Sequence, residues 1–346
     1  MAPDDAYAAA GVSIASSDAG VRALVDVLRT IDPGRPSRSL LSCGHYASVL
    51  RVSADIAIAL STDGVGSKLV VAEQTGRLDT VGIDCIAMNV NDLVCVGAEP
   101  LAMLDYLAVE RPDPAALAQI AEGLKAGAED AGIEIPGGEL AVLPELIRGH
   151  PSPNGFDLCG AAFGTVAPDA IVTGATIAPG QALIGLPSSG LHSNGYTLAR
   201  QALLTRGGLR LDDAPPELGG ASLADALLEP TVIYVRAILE LLASPIDVHG
   251  LAHITGGGLT NLLRLNDGVG FAIDAPLPVP PVFELIARCG DVAEDEMWEV
   301  FNMGCGFVAV VAQDHAEQAA ALLSAGHPGS APIGTVTDRA GQIERP

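Results

Sequence analysis

One stretch, from Ser61 to Tyr106, constrains the fold of this chain more than any other. The aliphatic run just before it, Ile56 to Leu60, is typical of a buried strand. Inside the stretch, the residues from Asp84 to Gly97 follow helical spacing, and Pro100 comes soon after as a stop signal. The sequence therefore predicts a strand, a loop and a buried helix in succession, as in the layers of an α/β domain.

The loop after the predicted strand carries residues that suit a phosphate group. Asp63 follows the strand, Gly64 and Gly66 remove side-chain bulk, and Lys68 is the only cation nearby. An open backbone can approach phosphate oxygens, the lysine offsets their charge, and the carboxylate holds a metal ion. We therefore expect a site for a metal-bound polyphosphate. The spacing is not G-x-x-x-x-G-K-[ST], so the site is not a P-loop.

Three polar residues, Asp84, Asn91 and Asp92, fall on one face of the predicted helix. One interpretation is an N-cap at Asp84 followed by a solvated stripe. Apolar residues flank this face and the segments on either side, which indicates that the helix is buried. Buried acids need partners, commonly a metal ion, so we favour the interpretation that this face belongs to a functional site.

Composition and charge exclude several classes of partner. The chain has 346 residues, of which 49% are hydrophobic, enough for two domains with large cores. Lysine and arginine together number 18 against 42 acidic residues, so the net charge is −24. Such a surface repels nucleic acids and anionic membranes, and neither is an expected partner. An anionic substrate would need a metal, a helix N-terminus or a few placed cations.

The cysteines and the N-terminus predict a cytoplasmic protein. The six cysteines form no C-x-x-C pair and mostly lie in apolar runs, which favours buried free thiols in a reducing compartment. The first residues lack the basic and apolar regions of a signal peptide, and no apolar run is long enough to span a membrane.

Strands alternate with helices in both halves of the chain, which predicts an α/β or α+β fold in two domains. A stretch rich in glycine, proline and threonine, from Pro168 to Gly180, is the expected boundary. The domains are predicted at residues 1–168 and 175–346. In the first of them, Asp113 to Ala131 predicts an amphipathic helix and Phe156 to Val166 a strand.

Glu139 is a candidate third metal ligand. It ends the run Ile133-Glu-Ile-Pro-Gly-Gly-Glu139, in which a short strand leads into two glycines and an acid. A surface turn residue would show the same pattern. Its position directly after a predicted buried strand favours the metal ligand.

Two glycine-containing loops in the second half are candidate anion-binding loops. The first, Pro187 to Tyr196, leads into a predicted helix, Thr197 to Leu204, so its backbone N–H groups would face an anion at the helix start. The second contains three consecutive glycines before a predicted helix, Leu259 to Leu265, and is costly unless a ligand must approach the backbone. His192 in the first loop is either catalytic or a hydrogen-bonding residue of the loop.

Taken together, these motifs resemble phosphoribosylformylglycinamidine cyclo-ligase, also called aminoimidazole ribonucleotide synthetase. The resemblance covers nearly the whole chain, and the order and spacing of the motifs make it specific. The motifs are AYAAAGVSI (6–14), STDGVGSK (61–68), VGIDCIAMNVNDLVCVGAEPLAMLDY (81–106), GGE (137–139), FDLCGAAFG (156–164), LPSSGLHSNGY (186–196), DALLEPTVIYV (225–235), VHGLAHITGGGLTNLL (248–263) and FNMGCGF (301–307).

The resemblance implies a fold and a reaction. The family has two α/β domains in each subunit, and its N-terminal strands form a β-barrel that spans a homodimer. ATP activates the formyl amide oxygen of formylglycinamidine ribonucleotide, and ring closure then releases phosphate and leaves aminoimidazole ribonucleotide and ADP. Such chemistry depends on positioning and charge neutralisation more than on covalent participation of the protein.

The resemblance also implies roles for individual residues. Proton transfer falls to His192, because imidazole titrates near neutrality, with Lys68 and Asp63 as the other catalytic residues. Mg²⁺ would be held by Asp63, Asp92 and Glu139, and a monovalent cation is a further candidate cofactor. The implied ATP-binding residues are Asp63, Gly64, Gly66, Lys68, Asp84, Asn91, Asp92 and Glu139. The implied ribonucleotide-binding residues are Ser189, Gly190, His192, Ser193, Asn194, Thr255, Gly256, Gly257 and Gly258.

Related functions remain as alternatives. Formylglycinamidine ribonucleotide synthetase, selenophosphate synthetase, thiamine-monophosphate kinase and a hydrogenase-maturation protein share the architecture. The first is usually fused to or partnered with a glutaminase, for which this chain has no room, and the second needs an N-terminal cysteine or selenocysteine, which residues 1–42 lack. A paralogue that binds nucleotide without turnover belongs to a different class. The chain departs from the family at SCGHYAS (42–48) and after GGE, where it reads LAVLP (140–144). Apolar strands at Ile56–Leu60, Leu101–Leu107 and Cys159–Val166 predict a homodimer, because one sheet alone would leave too much apolar surface exposed.

Overall fold

The computed structural model describes residues 14–41 and 44–345. Residues 6–13 of the first motif, and Ser42 and Cys43 of the SCGHYAS segment, lie outside the described residues. Two β-sheets form the centres of the two halves of the chain. The α-helices are α1 (Ile14–Leu28), α2 (Leu69–Thr75), α3 (Val81–Cys95), α4 (Pro114–Ala131), α5 (Tyr196–Arg200), α6 (Leu223–Leu228), α7 (Val235–Ala243), α8 (Pro281–Gly290), α9 (Glu294–Val300) and α10 (Ala316–Gly326).

The first sheet has five strands in the order β1-β2-β5-β3-β4. All neighbours are antiparallel except β3 and β4, which are parallel. Strand β2 is longer than the predicted Ile56–Leu60, so Asp63 lies near the end of a strand and not in a loop. The strands are β1 (Ser48–Arg51), β2 (Ala57–Gly64), β3 (Glu99–Val109), β4 (Glu134–Val142) and β5 (Phe156–Val166).

Helix α3 is the buried centre of the first half. It begins three residues before the predicted Asp84 and ends at Cys95, and 13 of its 15 residues are buried. Its inner side packs on the sheet and on α4. Gly82 and Gly123 allow the close approach to α4, because a Cβ at either position would overlap backbone atoms of the other helix or the turn before it. Helix α4 begins after the N-cap Asp113, which confirms the predicted helix there.

The second sheet has six strands in the order β11-β8-β10-β6-β9-β7. The predicted helix from Thr197 to Leu204 is instead a short α5 followed by a π-helical turn, Gln201–Arg206. The predicted helix after the three glycines is a 3₁₀ helix, Gly258–Arg264. The strands are β6 (Ala182–Pro187), β7 (Val248–His253), β8 (Gly270–Ile273), β9 (Cys305–Val311), β10 (Ala331–Thr337) and β11 (Ile343–Glu344).

The first sheet has one covered face and one apolar face that is open to solvent. Helix α3 covers the inner face. On the outer face, the side chains of Leu60, Leu104 and Tyr106 are 41%, 48% and 41% exposed. Neither sheet closes into a barrel within the described residues, so the predicted dimer-spanning barrel is not confirmed.

In the part of the chain that the structure describes, no helix is long and apolar enough to cross a membrane.

Candidate active site

The polar face of α3 lies against the C-terminal half of the chain. The carboxylate of Asp84 accepts hydrogen bonds from the backbone N–H and the hydroxyl of Thr231, at 2.8 and 2.6 Å. Asn91 accepts one from the N–H of Tyr234 at 2.9 Å and donates to the carbonyl of Val232 at 2.8 Å. Buried polar groups need partners, and here the protein itself supplies them for Asp84 and Asn91. Both residues join the two halves of the chain in this structure.

Asp92, one residue further along α3, belongs to a charged cluster. Its carboxylate is 2.9 Å from Nδ1 of the fully buried His253 at the end of β7. Burial raises the pKa of Asp63 above its ordinary value, as does the negative charge of Asp92, while His253 and Arg264 act in the opposite direction. Two carboxylates, an imidazole and a guanidinium thus interact where the two halves meet.

Glu139 does not join this cluster. It pairs with Tyr106 on the neighbouring strand, in the row of residues that also contains Cys159 and Gly64. Asp63 lies in the adjacent row, opposite Gly160. Because side chains alternate between the faces of a strand, Glu139 and Asp63 lie on opposite faces of the sheet. Among the described residues no three His, Cys, Asp or Glu side chains are close enough to hold a metal ion, so the expected three-carboxylate set is not brought together within one chain.

Asp63 and Asp92 remain compatible with a magnesium nucleotide. Mg²⁺ commonly takes only one or two carboxylates from the protein and completes its shell with phosphate oxygens and water. The negative charge of Asp92 contributes to the raised pKa of Asp63, and two acidic side chains this close are a suitable environment for a cation. Asp63 also accepts the N–H of Gly64 at 2.7 Å, which fixes one of its oxygens at the start of the glycine loop.

Lys68 is placed differently from the expectation of a phosphate-binding lysine. Its side chain is fully buried, and its ammonium is 2.8 Å from the carboxylate of Asp84. Its other contacts are with backbone carbonyls of the C-terminal half. The ammonium therefore faces protein groups and not the open side of the glycine loop.

The turn from Ser188 to Asn194 presents His192 toward the interface between the halves. The Nε2 atom of His192 accepts the N–H of Ser189 at 3.3 Å, so the proton of the neutral ring is on Nδ1. That Nδ1 is buried and has no hydrogen-bond partner among the described residues. Burial lowers the pKa of His192 well below its ordinary value, and His253 and Lys68 lower it further. His192 is therefore a neutral hydrogen-bond donor at physiological pH.

The second glycine loop lies beside this turn. A Cβ at Gly256 would be 3.3 Å from the side-chain oxygen of Asn194, so the two loops form one surface. Gly257 has a φ of +100° and a Cβ at Gly258 would overlap the carbonyl of Trp298. Backbone conformation and packing thus explain two of the three glycines without a ligand. The third, Gly256, is exposed and would meet only the side chain of Asn194.

Two residues of the cluster, His253 and Arg264, and a third that acts on it, His45, were not identified from the sequence. His253 is hidden in an apolar strand, although it stands two residues before the Thr255 of the glycine motif. Arg264, at the end of the 3₁₀ helix, lies over the ring of Tyr46 at 5.5 Å. His45 is electrostatically coupled to Asp92 and Arg264, and burial lowers its pKa. The signal for His253 was a histidine at a strand end next to a glycine loop; no local signal marks the other two.

Comparison with known proteins places this site in a family. The model of the AIR synthase related protein N-terminal domain matches residues 44–166, and that of the C-terminal domain matches residues 178–345. The chain belongs to the AIR synthase related protein family. Asp63 and Asp92 lie in the first matched region, and His192 and His253 in the second.

Curated relatives within the family are similar over almost their whole length. A protein of Methanothermobacter thermautotrophicus named phosphoribosylformylglycinamidine cyclo-ligase is 48% identical over 98% of this chain and 96% of the relative. A protein of the same name from Thermococcus gammatolerans is 50% identical over 92% of this chain and 91% of the relative.

Solved structures share the fold at low sequence identity. The hydrogenase maturation protein HypE in complex with ATP matches with a TM-score of 0.61 and 20% identity, over 86% of this chain and 84% of that one. The structure of AaThiL complexed with AMPPCP and TMP matches with a TM-score of 0.61 and 15% identity, over 87% of both chains. These members of the fold confirm the mixed α/β architecture that the sequence predicted.

Proposed function

We propose that this chain catalyses the ATP-dependent closure of formylglycinamidine ribonucleotide to aminoimidazole ribonucleotide, with release of ADP and phosphate, in purine biosynthesis. The observation that carries this function is the near-complete match, at about half of all positions, to relatives named for that reaction. The charged cluster and the two adjacent loops supply a site of the required kind: acidic and cationic groups for a metal nucleotide beside backbone donors for a phosphorylated substrate.

On the nucleotide side, Asp63 and Asp92 are proposed to hold Mg²⁺ on the ATP phosphates. When bound, the ion offsets phosphate charge and polarises the transferring group. Gly64 and Gly66 leave the backbone accessible to the phosphate oxygens. Arg264, which is exposed and close enough to act on Asp63, is the cation proposed to face the triphosphate. Asp84 and Asn91 are not proposed to contact the nucleotide; they fix α3 against the C-terminal half.

On the substrate side, the two adjacent loops are proposed to bind the ribonucleotide phosphate and the reacting amide. The first contributes Ser189, Gly190, His192, Ser193 and Asn194, and the second contributes Thr255, Gly256, Gly257 and Gly258. Their contact through Asn194 and Gly256 makes them one binding surface. Helix α5 begins directly after the first loop, with Gly195 as an N-cap that provides no side-chain hydrogen bond.

The reaction transfers one phosphoryl group and removes two protons from substrate nitrogens. The formyl oxygen attacks the γ-phosphorus of ATP and ADP leaves; the amidine nitrogen then attacks the formyl carbon, and the C–O bond breaks with release of phosphate. The attacking nitrogen and the formamide nitrogen each lose a proton, one of which leaves on the phosphate, and a proton shift from the ring CH₂ to the imino nitrogen completes the aminoimidazole. His192 donates a hydrogen bond from Nδ1 to the reacting oxygen. His253 is the proposed acceptor of the proton from the attacking nitrogen. Its Nδ1 faces Asp92, and its Nε2 is buried and has no hydrogen-bond partner among the described residues, so the proton is accepted at Nε2.

A homodimer is part of the same proposal. The outer face of the first sheet exposes large apolar side chains in a contiguous region that includes Leu60, Leu104 and Tyr106. A two-fold axis would place this face against its own copy, which is the ordinary way for a homodimer to cover an apolar sheet. Glu139 lies on this face as well, so in a dimer it would lie at the subunit interface.

The purified chain tests the function directly. With formylglycinamidine ribonucleotide, ATP and Mg²⁺, we expect aminoimidazole ribonucleotide and ADP to appear in equal amounts, and only slow ADP formation when the ribonucleotide is omitted. ATP hydrolysis without the imidazole product would support the nucleotide-binding paralogue. A stable phosphorylated product would support a kinase of the same fold.

A further inference from the structure

The ammonium group of Lys68 is saturated by protein acceptors. It has three N–H donors. One is 2.9 Å from Oδ1 of Asp84, with Oδ2 at 2.8 Å; the others donate to the carbonyls of His192 at 3.1 Å and Glu229 at 2.7 Å. The side chain is fully buried, and the ring of Tyr196 lies 5.7 Å from the ammonium. No donor is left for a phosphate oxygen while these contacts hold.

The partner carboxylate, that of Asp84, is likewise occupied by donors of the protein. Asp84 is fully buried in α3 and receives Lys68 and both donors of Thr231. Glu229, whose carbonyl Lys68 also contacts, is the C-cap of α6, so the lysine compensates the free carbonyls at that helix end. One buried ion pair in the N-terminal half thus holds two separate segments of the C-terminal half, the His192 turn and the segment from Glu229 to Thr231.

The His192 turn needs such support, because its backbone is in an uncommon conformation. His192 has a φ of +62°, in the left-handed region that residues with a side chain rarely adopt. Within the C-terminal half, Ser189 donates to the carbonyl of Pro230 at 2.5 Å and Asn302 to that of Gly190 at 2.8 Å. Two further contacts come from the N-terminal half. Lys68 donates to the carbonyl of His192, and the hydroxyl of Ser193 donates to the carbonyl of Val65 at 2.7 Å.

We propose that Lys68 is a positioning residue, which fixes the His192 turn of the C-terminal half onto the glycine loop of the N-terminal half. The ion pair with Asp84 fixes the position of the ammonium. Its hydrogen bond to the backbone carbonyl of His192 in turn fixes the position of the imidazole. Binding of the ribonucleotide then depends on Lys68, whereas the affinity for ATP does not. The inference deepens the proposed function and rests on it, since that function places the ribonucleotide at the His192 turn.

Three variants and one control separate this role from phosphate binding. Lys68→Met keeps the length of the side chain and removes the charge; Asp84→Asn keeps the shape of the acid; the double variant removes both charges. Lys125→Met is the control, because Lys125 is the only other lysine of the chain and forms an exposed pair with Glu129 on α4. Equilibrium binding of ATP and of formylglycinamidine ribonucleotide is measured separately for each.

We expect Lys68→Met and Asp84→Asn to weaken ribonucleotide binding at least tenfold, to leave ATP binding within threefold of the parent chain, and to raise KM for the ribonucleotide more than KM for ATP. Each single variant leaves one buried charge unpaired, so the double variant should unfold at a higher denaturant concentration than either. The double variant keeps the proposal testable where a single variant fails to fold. Lys125→Met should match the parent chain.

A loss of ATP affinity of tenfold or more in Lys68→Met, but not in Asp84→Asn, would overturn the proposal. It would show that Lys68 binds the ATP phosphates. Unchanged binding of both ligands in the double variant would overturn it as well. Failure of the proposed function looks different: the parent chain itself would then not bind the ribonucleotide.

Discussion

At the scale of single residues, the nucleotide side of the site depends most on Asp92. It is partly exposed, bonded to His253 and close to Asp63. Asp92→Asn keeps the volume and an oxygen that can accept from His253, so the melting temperature should change little. The lost negative charge weakens a ligand for a hard cation. We expect Mg-ATP affinity and turnover to fall together at least tenfold, about 1.4 kcal/mol, in titrations of ATP at limiting Mg²⁺.

Asp79→Asn is the matched control, since Asp79 is exposed in the turn before α3 and outside the cluster. Its rates should equal those of the parent chain. Normal turnover of Asp92→Asn at limiting Mg²⁺ would show that Asp92 serves only to hold His253.

A second residue-scale prediction concerns pH and His192. Burial depresses its pKa in the folded state, so below pH 6.5 the unfolded chain binds a proton that the folded chain does not. Stability is therefore lost as the pH falls. The free energy of unfolding should therefore fall between pH 7.5 and 5.5, and in urea unfolding it should fall less for His192→Asn than for the parent chain. Asn tolerates the left-handed turn. Equal pH dependence of the two chains would contradict a neutral, buried His192.

Residue-scale chemistry was only partly predictable. The sequence identified Asp84, Asn91 and Asp92 as a buried polar face, and the structure confirms the shared face and the burial of Asp84 and Asn91. Their partners lie far along the chain: Thr231 is 147 residues from Asp84. Helical spacing shows that a buried acid needs a partner but not which one, and for Asp84 a lysine took the place expected for a metal.

At the scale of elements, the two glycine loops act as one surface, and Gly256 is the position that tests it. Its backbone is outside the left-handed region, and a Cβ would meet only the end of the Asn194 side chain. Gly256→Val should therefore fold, fill space needed by the ribonucleotide and weaken its binding at least tenfold, with ATP binding within about twofold by calorimetry. Gly257→Val is unsuitable, since the positive φ of Gly257 strains any side chain.

Equal loss of both ligands in a folded Gly256→Val chain would show that the loops do not form a separate ribonucleotide site.

Elements with strong periodicity were predicted well. Strand β5 coincides with the predicted Phe156–Val166, and α4 with the predicted helix after Asp113. The short helices beside the glycine loops were predicted poorly, because π and 3₁₀ turns depend on local packing and leave no periodic signature in the sequence. The face on which Glu139 lies depends on strand register, which is set by pairing with β3 and cannot be read from β4 alone.

At the scale of the whole molecule, the open apolar face of the first sheet predicts a homodimer. Leu104 lies near its middle, so Leu104→Glu would place two like charges in the interface of a two-fold dimer. We expect the parent chain to have the mass of a dimer in light scattering at micromolar concentration, and Leu104→Glu that of a folded monomer. Val279→Glu, on an exposed apolar side chain of the second half, should remain dimeric.

A parent chain that is folded and active as a monomer would show that the proposed homodimer is wrong.

In the proposed reaction, ATP activates the formyl oxygen of the substrate before the ring closes. Isotope transfer tests it most directly. Formylglycinamidine ribonucleotide carrying ¹⁸O in the formyl group is converted with unlabelled ATP in ordinary water, and the released phosphate is analysed by mass spectrometry. We expect one ¹⁸O atom in each phosphate and an equal amount of aminoimidazole ribonucleotide. Unlabelled phosphate would contradict the proposed reaction, because ATP would then have been hydrolysed by water and not by the substrate oxygen.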